Sequence, residues 1–124
     1  MTHPDHLVAL LGASNKPERY AHKALTKLTE NGYPVIPINP VLKEVAGFKV
    51  LPNLEAIDKK IDTLTLYIGP ARIEPIIDSI VKLNPGRVIM NPGTESEPLA
   101  AALTKAGIPF EHACTLVLLG TGQF

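Results

Sequence analysis

The segment GASNKPERY, which starts at Gly12, combines residue types that bind anions. Gly12 permits a tight turn and a close approach of the backbone to a ligand. Ser14 offers a hydroxyl, while Lys16 and Arg19 carry positive charge. Pro17 suits the first turn of a helix, where backbone N–H groups carry a partial positive charge. The segment therefore predicts a phosphate-binding loop; an ordinary strand-to-helix turn with solvated charges is the alternative.

The histidines and the single cysteine do not complete a catalytic or a metal site. His112 and Cys114 are two residues apart, which on a strand would place both on one face and could activate a thiolate. A free cysteine is more often a small buried hydrophobe, so we expect no catalytic residue. His3 and His6 lack the further ligands that a metal needs, and His22 is expected on a helix surface. We predict no metal site.

The composition is that of one domain without a strong net charge. A chain of 124 residues can form one hydrophobic core but not two, so we expect a single domain over residues 1–124. Twelve Lys and Arg balance twelve Asp and Glu, which argues against a nucleic-acid or membrane-surface partner. The apolar blocks are too short to span a bilayer. One cysteine rules out an internal disulfide, which fits a cytoplasmic protein.

Short apolar runs alternate with longer amphipathic segments, a pattern typical of strand and helix units around a parallel sheet. The spacing of the runs leaves room for a crossover helix between them. We therefore predict a Rossmann-like three-layer α/β/α fold with a five-stranded, mainly parallel sheet in the order 3-2-1-4-5. The predicted strands cover residues 7–11, 34–38, 64–68, 87–90 and 109–113.

Apolar stripes predict three long helices, each closed by a turn that contains glycine. A short helix is expected near Leu54 in the second crossover. Thr94 and Glu97 predict a capping box for the last long helix, with Ser96 as a competing cap. Each stripe repeats at i, i+3, i+4 and i+7, so its side chains share one helix face. The stripes are Ala21, Ala24, Leu25 and Leu28; Ile73, Ile76, Ile77 and Ile80; and Leu99, Ala102, Leu103 and Ala106.

The predicted strand order places a ligand at the loops after strands 1 and 4, with the loops after strands 2 and 3 beside it. An NAD site would show G-x-G-x-x-G and an acid at the end of the second strand. Here the three glycine positions hold Gly12, Ser14 and Pro17, and the second strand is followed by Asn39 and Pro40 instead of an acid. Lys43 follows, and a lysine near the ribose favours a phosphorylated ribose, as in NADP and coenzyme A. Both ligands stay open at this point.

Several stretches resemble the small CoA-binding domain family, which is similar to the N-terminal domain of the succinyl-CoA synthetase α subunit. The stretch LVALLGASNKPERYAHKALTKLTENGYPVIPINP has the family's G-A-S with a later proline and arginine, its G-Y-x-V helix end and its N-P strand end. GFKVLPNL resembles a G-x-x-x-x-x-S-L segment, with Asn53 in place of the serine. VIMNPGTESEPLAAALTKAGIPFEHACTLVLL resembles the fourth-strand loop, the next helix and a fifth strand with a cysteine. Where the family more often has W-x-Q-x-G, this chain has Ile89, Asn91 and Gly93.

The resemblance implies a coenzyme A site at the strand ends. It implies that the pyrophosphate lies on the loop after strand 1, the 3′-phospho-ribose beside strand 2 and the adenine end on the loop after strand 3. A bulky residue in place of Gly12 is then expected to abolish nucleotide binding in a protein that still folds. The predicted ligand contacts are Gly12, Ala13, Ser14, Lys16, Pro17, Arg19, Asn39, Pro40, Lys43, Ile68, Gly69, Arg72, Asn91 and Gly93.

These inferences favour a small-molecule binding protein over an enzyme. We expect the chain to bind coenzyme A or an acyl-CoA and to be non-catalytic alone, with room for a protein partner or a homo-oligomer. An NADP-binding oxidoreductase or redox sensor is the main alternative, and acyl transfer through Cys114 is a third. The C-terminal segment TLVLLGTGQF is too short for the further domain that a ligase carries, so we expect it to pack on the edge of the sheet.

Overall fold

The computed structural model describes residues 2–124 and contains a five-stranded parallel sheet with helices on both faces. This architecture confirms the predicted three-layer fold. Short 3₁₀ turns cover Leu54–Ala56 and Glu74–Ile76, and a small hairpin pairs Glu44–Val45 with Phe48–Lys49. The strands are β1 (Val8–Leu11), β2 (Val35–Ile38), β3 (Thr63–Leu66), β4 (Arg87–Met90) and β5 (Phe110–His112), and the helices are α1 (Tyr20–Glu30), α2 (Pro70–Ile73), α3 (Ile77–Leu83), α4 (Glu97–Ala106) and α5 (Thr115–Gly120).

The strands lie in the order 2-1-3-4-5, so the predicted order 3-2-1-4-5 was wrong. Pro37 supplies the physical reason. The main-chain oxygen of Ile38 accepts hydrogen bonds from Gly12 and Ala13 on the β1 side, so Pro37 faces the outer edge of β2. A third strand on that edge would need the N–H that proline lacks. The main-chain oxygen of Pro37 instead accepts a hydrogen bond from the Leu51 N–H at 3.0 Å.

The predicted helix stripes are only partly reproduced. All four stripe residues of α1 are buried, as predicted. The second stripe does not form one helix, because Pro75 interrupts it and a 3₁₀ turn separates α2 from α3. Ile73 and Ile80 are the fully buried members of that stripe. In α4 the buried members are Leu99 and Leu103, so the side chains nearest the sheet fill the core.

The structure differs from the prediction in the cap of α4 and in the packing of the C-terminal segment. Ser96 caps α4, since its Oγ accepts a hydrogen bond from the Leu99 N–H at 3.2 Å. Thr94 donates its hydroxyl to the Asn91 main-chain oxygen at 2.8 Å, so the capping box predicted for Thr94 was wrong. The C-terminal segment forms α5 and packs on α1 rather than on the edge of the sheet. No helix between residues 2 and 124 has both the length and the apolar character that crossing a bilayer requires.

Candidate functional site

The loops at the carboxyl ends of β1 to β4 line a cleft of about 810 Å³. The strand order reverses between β1 and β3, so the switch point lies after these two strands and not after strands 1 and 4 as predicted. Two predicted ligand contacts, Pro17 and Lys43, do not line this cleft. Those that do are Gly12, Ala13, Ser14, Lys16, Arg19, Asn39, Pro40, Ile68, Gly69, Arg72, Asn91 and Gly93.

Gly12 is required by the protein itself. Its φ is +98°, a conformation that side chains with a Cβ rarely adopt. A Cβ at this position would lie 2.8 Å from the Tyr67 main-chain oxygen and 2.7 Å from Cγ2 of Ile68. The glycine therefore allows the end of β1 to pack against the end of β3. A bulky residue at position 12 is therefore expected to destabilise the protein itself, so a loss of binding in such a variant would not locate the ligand.

The loop after Gly12 is longer than predicted. Helix α1 begins at Tyr20, so Pro17 lies in the loop and not in the first helical turn. The Ser14 hydroxyl accepts a hydrogen bond from the Lys16 N–H at 3.2 Å. The main-chain oxygen of Ser14 pairs with Nδ1 of His22 at 3.0 Å, with the imidazole as the donor. The first bond closes a turn within the loop, and the second holds the loop against the first turn of α1.

The amino end of α1 is suited to an anion. Its first two residues, Tyr20 and Ala21, line the cleft. No side chain among residues 2–124 caps this end, and its first turn contains no acid. The first N–H groups of a helix lack intrahelical partners and carry partial positive charge. Lys16, Arg19 and Arg72 line the same cleft with exposed side chains, so local charge favours a phosphorylated ligand although the net charge of the chain is zero.

The second crossover supplies a rim of the cleft that the predicted contacts missed. Leu51 bridges to Ile38, which brings the following segment to the end of β2. Asn53 and Glu55 then line the cleft, and Asn53 caps the short 3₁₀ turn with its side-chain oxygen. The Ser79 hydroxyl is the main cause of a lowered pKa at Glu55, so this carboxylate stays charged. The resemblance of GFKVLPNL to the CoA-binding domain family was the available sequence signal for this rim.

Asn39 uses its side chain to join two loops of the cleft. Its Nδ2 donates to the Ala13 main-chain oxygen at 2.9 Å. Its Oδ1 accepts from the N–H groups of Val41 at 2.8 Å and Leu42 at 2.9 Å. The asparagine therefore fixes the loop after β2 against the loop after β1, and one Nδ2 hydrogen is left for another acceptor.

Asn91 forms the centre of a buried polar network. It is 2% exposed, and its Nδ2 donates to Oγ1 of Thr65 at 2.7 Å and to the Leu66 main-chain oxygen at 2.8 Å. Its Oδ1 accepts from the Thr115 N–H at 2.8 Å. The hydroxyls of Thr65 and Thr115 also pair, at 2.8 Å. Both amide hydrogens of Asn91 are thus used by the protein, and the residue joins β3, β4 and the start of α5.

Tyr67 and Cys114 line the cleft beside this network. The Tyr67 hydroxyl is buried and has no hydrogen-bond partner in the part of the chain that the structure describes. Burial raises the pKa of Tyr67 to about 12, so the hydroxyl stays protonated at neutral pH. Cys114 is a partly exposed free thiol. His112, which could have activated it, is exposed and lies outside the cleft lining, and the residues from 2 to 124 contain no cluster of three metal-binding side chains.

Residues 6–120 match the CoA binding domain family. The chain belongs to this family. This CoA-binding domain is 37% identical to an uncharacterized protein of known crystal structure; the match covers 98% of this chain and 100% of that one, with a TM-score of 0.91. It is also 33% identical over 60 residues to the uncharacterized protein YneT of Bacillus subtilis (strain 168). This match covers 48% of this chain and 44% of YneT.

The CoA-binding domain also shares its fold with one part of a larger protein. The match is to the dinucleotide forming acetyl-coenzyme A synthetase 1 of Ca. Korarchaeum cryptofilum, solved in complex with phosphate and ADP. It covers 88% of this chain and 26% of that one at 22% identity, with a TM-score of 0.75. At this identity the likeness concerns the fold alone.

Proposed function

We propose that this domain binds coenzyme A or an acyl-CoA in its cleft and is not catalytic on its own. The observation that carries the proposal is the uncapped amino end of α1 beside Lys16 and Arg19, in a member of the CoA binding domain family. The loop and the first N–H groups of α1 would hold the pyrophosphate. Arg72, in α2 just after β3, would add charge for a further phosphate.

The end of β2 argues against an NAD site. An acid that binds ribose hydroxyls is missing at the end of β2, where Asn39 joins the two loops instead. Lys43, which suited the phosphorylated ribose of NADP as well as that of coenzyme A, lies outside the cleft lining. The charge for a ribose phosphate must then come from Lys16, Arg19 or Arg72. A cleft of about 810 Å³ lies within the usual range for small-molecule and cofactor sites.

Calorimetric titration of the purified protein with coenzyme A, dephospho-CoA, NADP and NAD at one salt concentration tests this proposal. We expect coenzyme A to bind most tightly and dephospho-CoA more weakly, because the latter lacks the ribose phosphate. A preference for NADP would instead support a redox function. No binding by any of the four nucleotides would contradict the proposal.

Substitution of Gly69 tests the position of the ligand without disturbing the protein. Gly69 lines the cleft at φ −74° and ψ 164°, which any residue before proline adopts, and a Cβ there meets no atom within 4 Å. We expect Gly69→Val to fold normally and to weaken coenzyme A binding at least about tenfold, since the isopropyl group enters the ligand volume. Gly120→Val is the matched control, because Gly120 also has open space but lies outside the cleft. Equal affinities for the two variants would show that the ligand lies elsewhere.

A further inference from the structure

The C-terminal segment is attached to the rest of the protein mainly at its two ends. We call residues 115–124, which comprise α5 and the turn after it, the strap. Its start is fixed, because Thr115 bonds to Asn91 in the buried network described above. Between its ends the strap is lightly held, since residues 116–123 make no hydrogen bond to any residue before Cys114 in the part of the chain that the structure describes. No residue of the strap after Thr115 is fully buried.

The end of the strap contacts three side chains from distant parts of the chain. The Phe124 ring packs edge to face on Tyr33, with 4.9 Å between the ring centres, and its centre lies 5.7 Å from that of the His6 ring. The guanidinium carbon of Arg87 lies 4.5 Å from the centre of the same ring, and Nη2 of Arg87 donates to the main-chain oxygen of Phe124 at 3.0 Å. Each of these contacts is individually modest, so the end of the strap can detach without unfolding of the domain.

The strap also forms part of the wall of the cleft. Leu116, its second residue, lines the cleft together with Cys114, which precedes the strap. Leu116 and Leu119 line a further space, a groove of about 740 Å³ between α5 and α1. Leu116 therefore stands between the groove and the cleft, and a movement of α5 about Thr115 changes the shape of the cleft.

We propose that the strap is a movable wall of the cleft and that Phe124 is the latch that holds it closed. When Phe124 leaves its three partners, α5 is held only by its start and by its apolar contact with α1. Opening then joins the groove to the cleft and gives a bound ligand a way out. The role of the wall rests on the proposed function, because it requires coenzyme A in the cleft, whereas the latch does not.

Hydrogen exchange of the protein without ligand tests the latch. The reporters are the amides of Leu118 and Thr121, which bond within the C-terminal segment. In the wild type we expect them to exchange faster than the amides of β3 and with little dependence on urea, because the strap opens without global unfolding. Phe124→Ala should speed their exchange by about 10-fold or more. Phe110→Ala is the matched control, because it removes another half-buried ring, on β5, and should destabilise the sheet while leaving the strap amides unchanged.

The rate at which coenzyme A leaves the protein tests the wall. Stopped-flow displacement of bound coenzyme A measures this rate. We expect Phe124→Ala to raise it by about threefold or more, since a loosened wall speeds release. Phe124→Tyr keeps the ring, and Phe110→Ala does not touch the strap, so both variants should stay within about twofold of the wild type.

The two experiments separate the latch from the wall. Strap amides that exchange as slowly as those of β3, or that do not respond to Phe124→Ala, would overturn the latch. Faster exchange in Phe124→Ala with an unchanged rate of coenzyme A release would overturn the movable wall. If the wild type does not bind coenzyme A, the proposed function and the role of the wall fail together, while the exchange experiment still decides whether Phe124 is a latch.

Discussion

Replacing Asn91 with alanine should destabilise the protein by about 3 to 5 kcal/mol. The side chain makes the three hydrogen bonds at 2.7, 2.8 and 2.8 Å described above, and each contributes roughly 1 kcal/mol net. Alanine also leaves the Thr115 N–H and the Leu66 carbonyl without this partner; because this penalty overlaps with the loss of the bonds themselves, it raises the expected cost from about 3 to at most about 5 kcal/mol. This loss is a large part of the free energy of unfolding of a typical domain, which is about 5 to 15 kcal/mol.

Urea unfolding followed by circular dichroism measures this change as a shift in midpoint at constant slope. Asn15→Ala is the control, because Asn15 is exposed and makes no side-chain hydrogen bond within residues 2–124. We expect the control to stay within about 0.5 kcal/mol of the wild type. A loss below about 1 kcal/mol in Asn91→Ala would refute the claim that this residue holds β3, β4 and α5 together.

Two further predictions concern pH and backbone strain. Burial is the main cause that lowers the pKa of His6 from 6.5, and the Asp62 carboxylate offsets part of it, so the folded state favours the neutral imidazole. The contribution of His6 to the free energy of unfolding should therefore be fully present above about pH 6.5 and should decline as the pH falls through the lowered pKa. His6→Gln should flatten the dependence of the urea midpoint on pH. An unchanged slope would contradict this prediction. Gly12→Ala should cost about 2 to 5 kcal/mol, from a left-handed φ plus the contact with Tyr67. Gly107→Ala also has a positive φ, of +74°, but meets no contact, and should cost about 1 kcal/mol in the same assay; equal losses would mean that the contact is unimportant.

The sequence predicted the elements better than their arrangement. Apolar stripes such as that of α1 depend on residues three and four apart, so a local pattern reveals them. The strand order depends on contacts between distant segments, and the one local indication, Pro37 in β2, was not used. Asn91 could not be recognised as a structural residue, because its partners lie 24 to 26 residues away along the chain.

In the candidate site, too, local residue types were easier to interpret than contacts between distant segments. The phosphate loop and the ends of β2 and β3 were predicted because their residue types have a chemical meaning at those places. The side-chain roles within the site were harder to infer, since Gly12 and Asn39 serve the fold as well as the cleft. Tyr20 was missed as a residue of the cleft lining, because the helix was expected to begin near Pro17 and begins three residues later.

The position of coenzyme A on the protein can be mapped by NMR, from the amide resonances of the isotope-labelled protein during a titration with coenzyme A. We expect saturable shifts at residues that line the cleft, namely Gly12, Ala13, Tyr20, Ala21 and Gly69. Amides outside it, such as Gly107 and Gly122, should not move. Absence of any shift at millimolar coenzyme A would contradict the assignment of this cleft as the coenzyme A site. So would shifts confined to the groove between α1 and α5, which is lined by residues such as His22, Thr26 and Leu119.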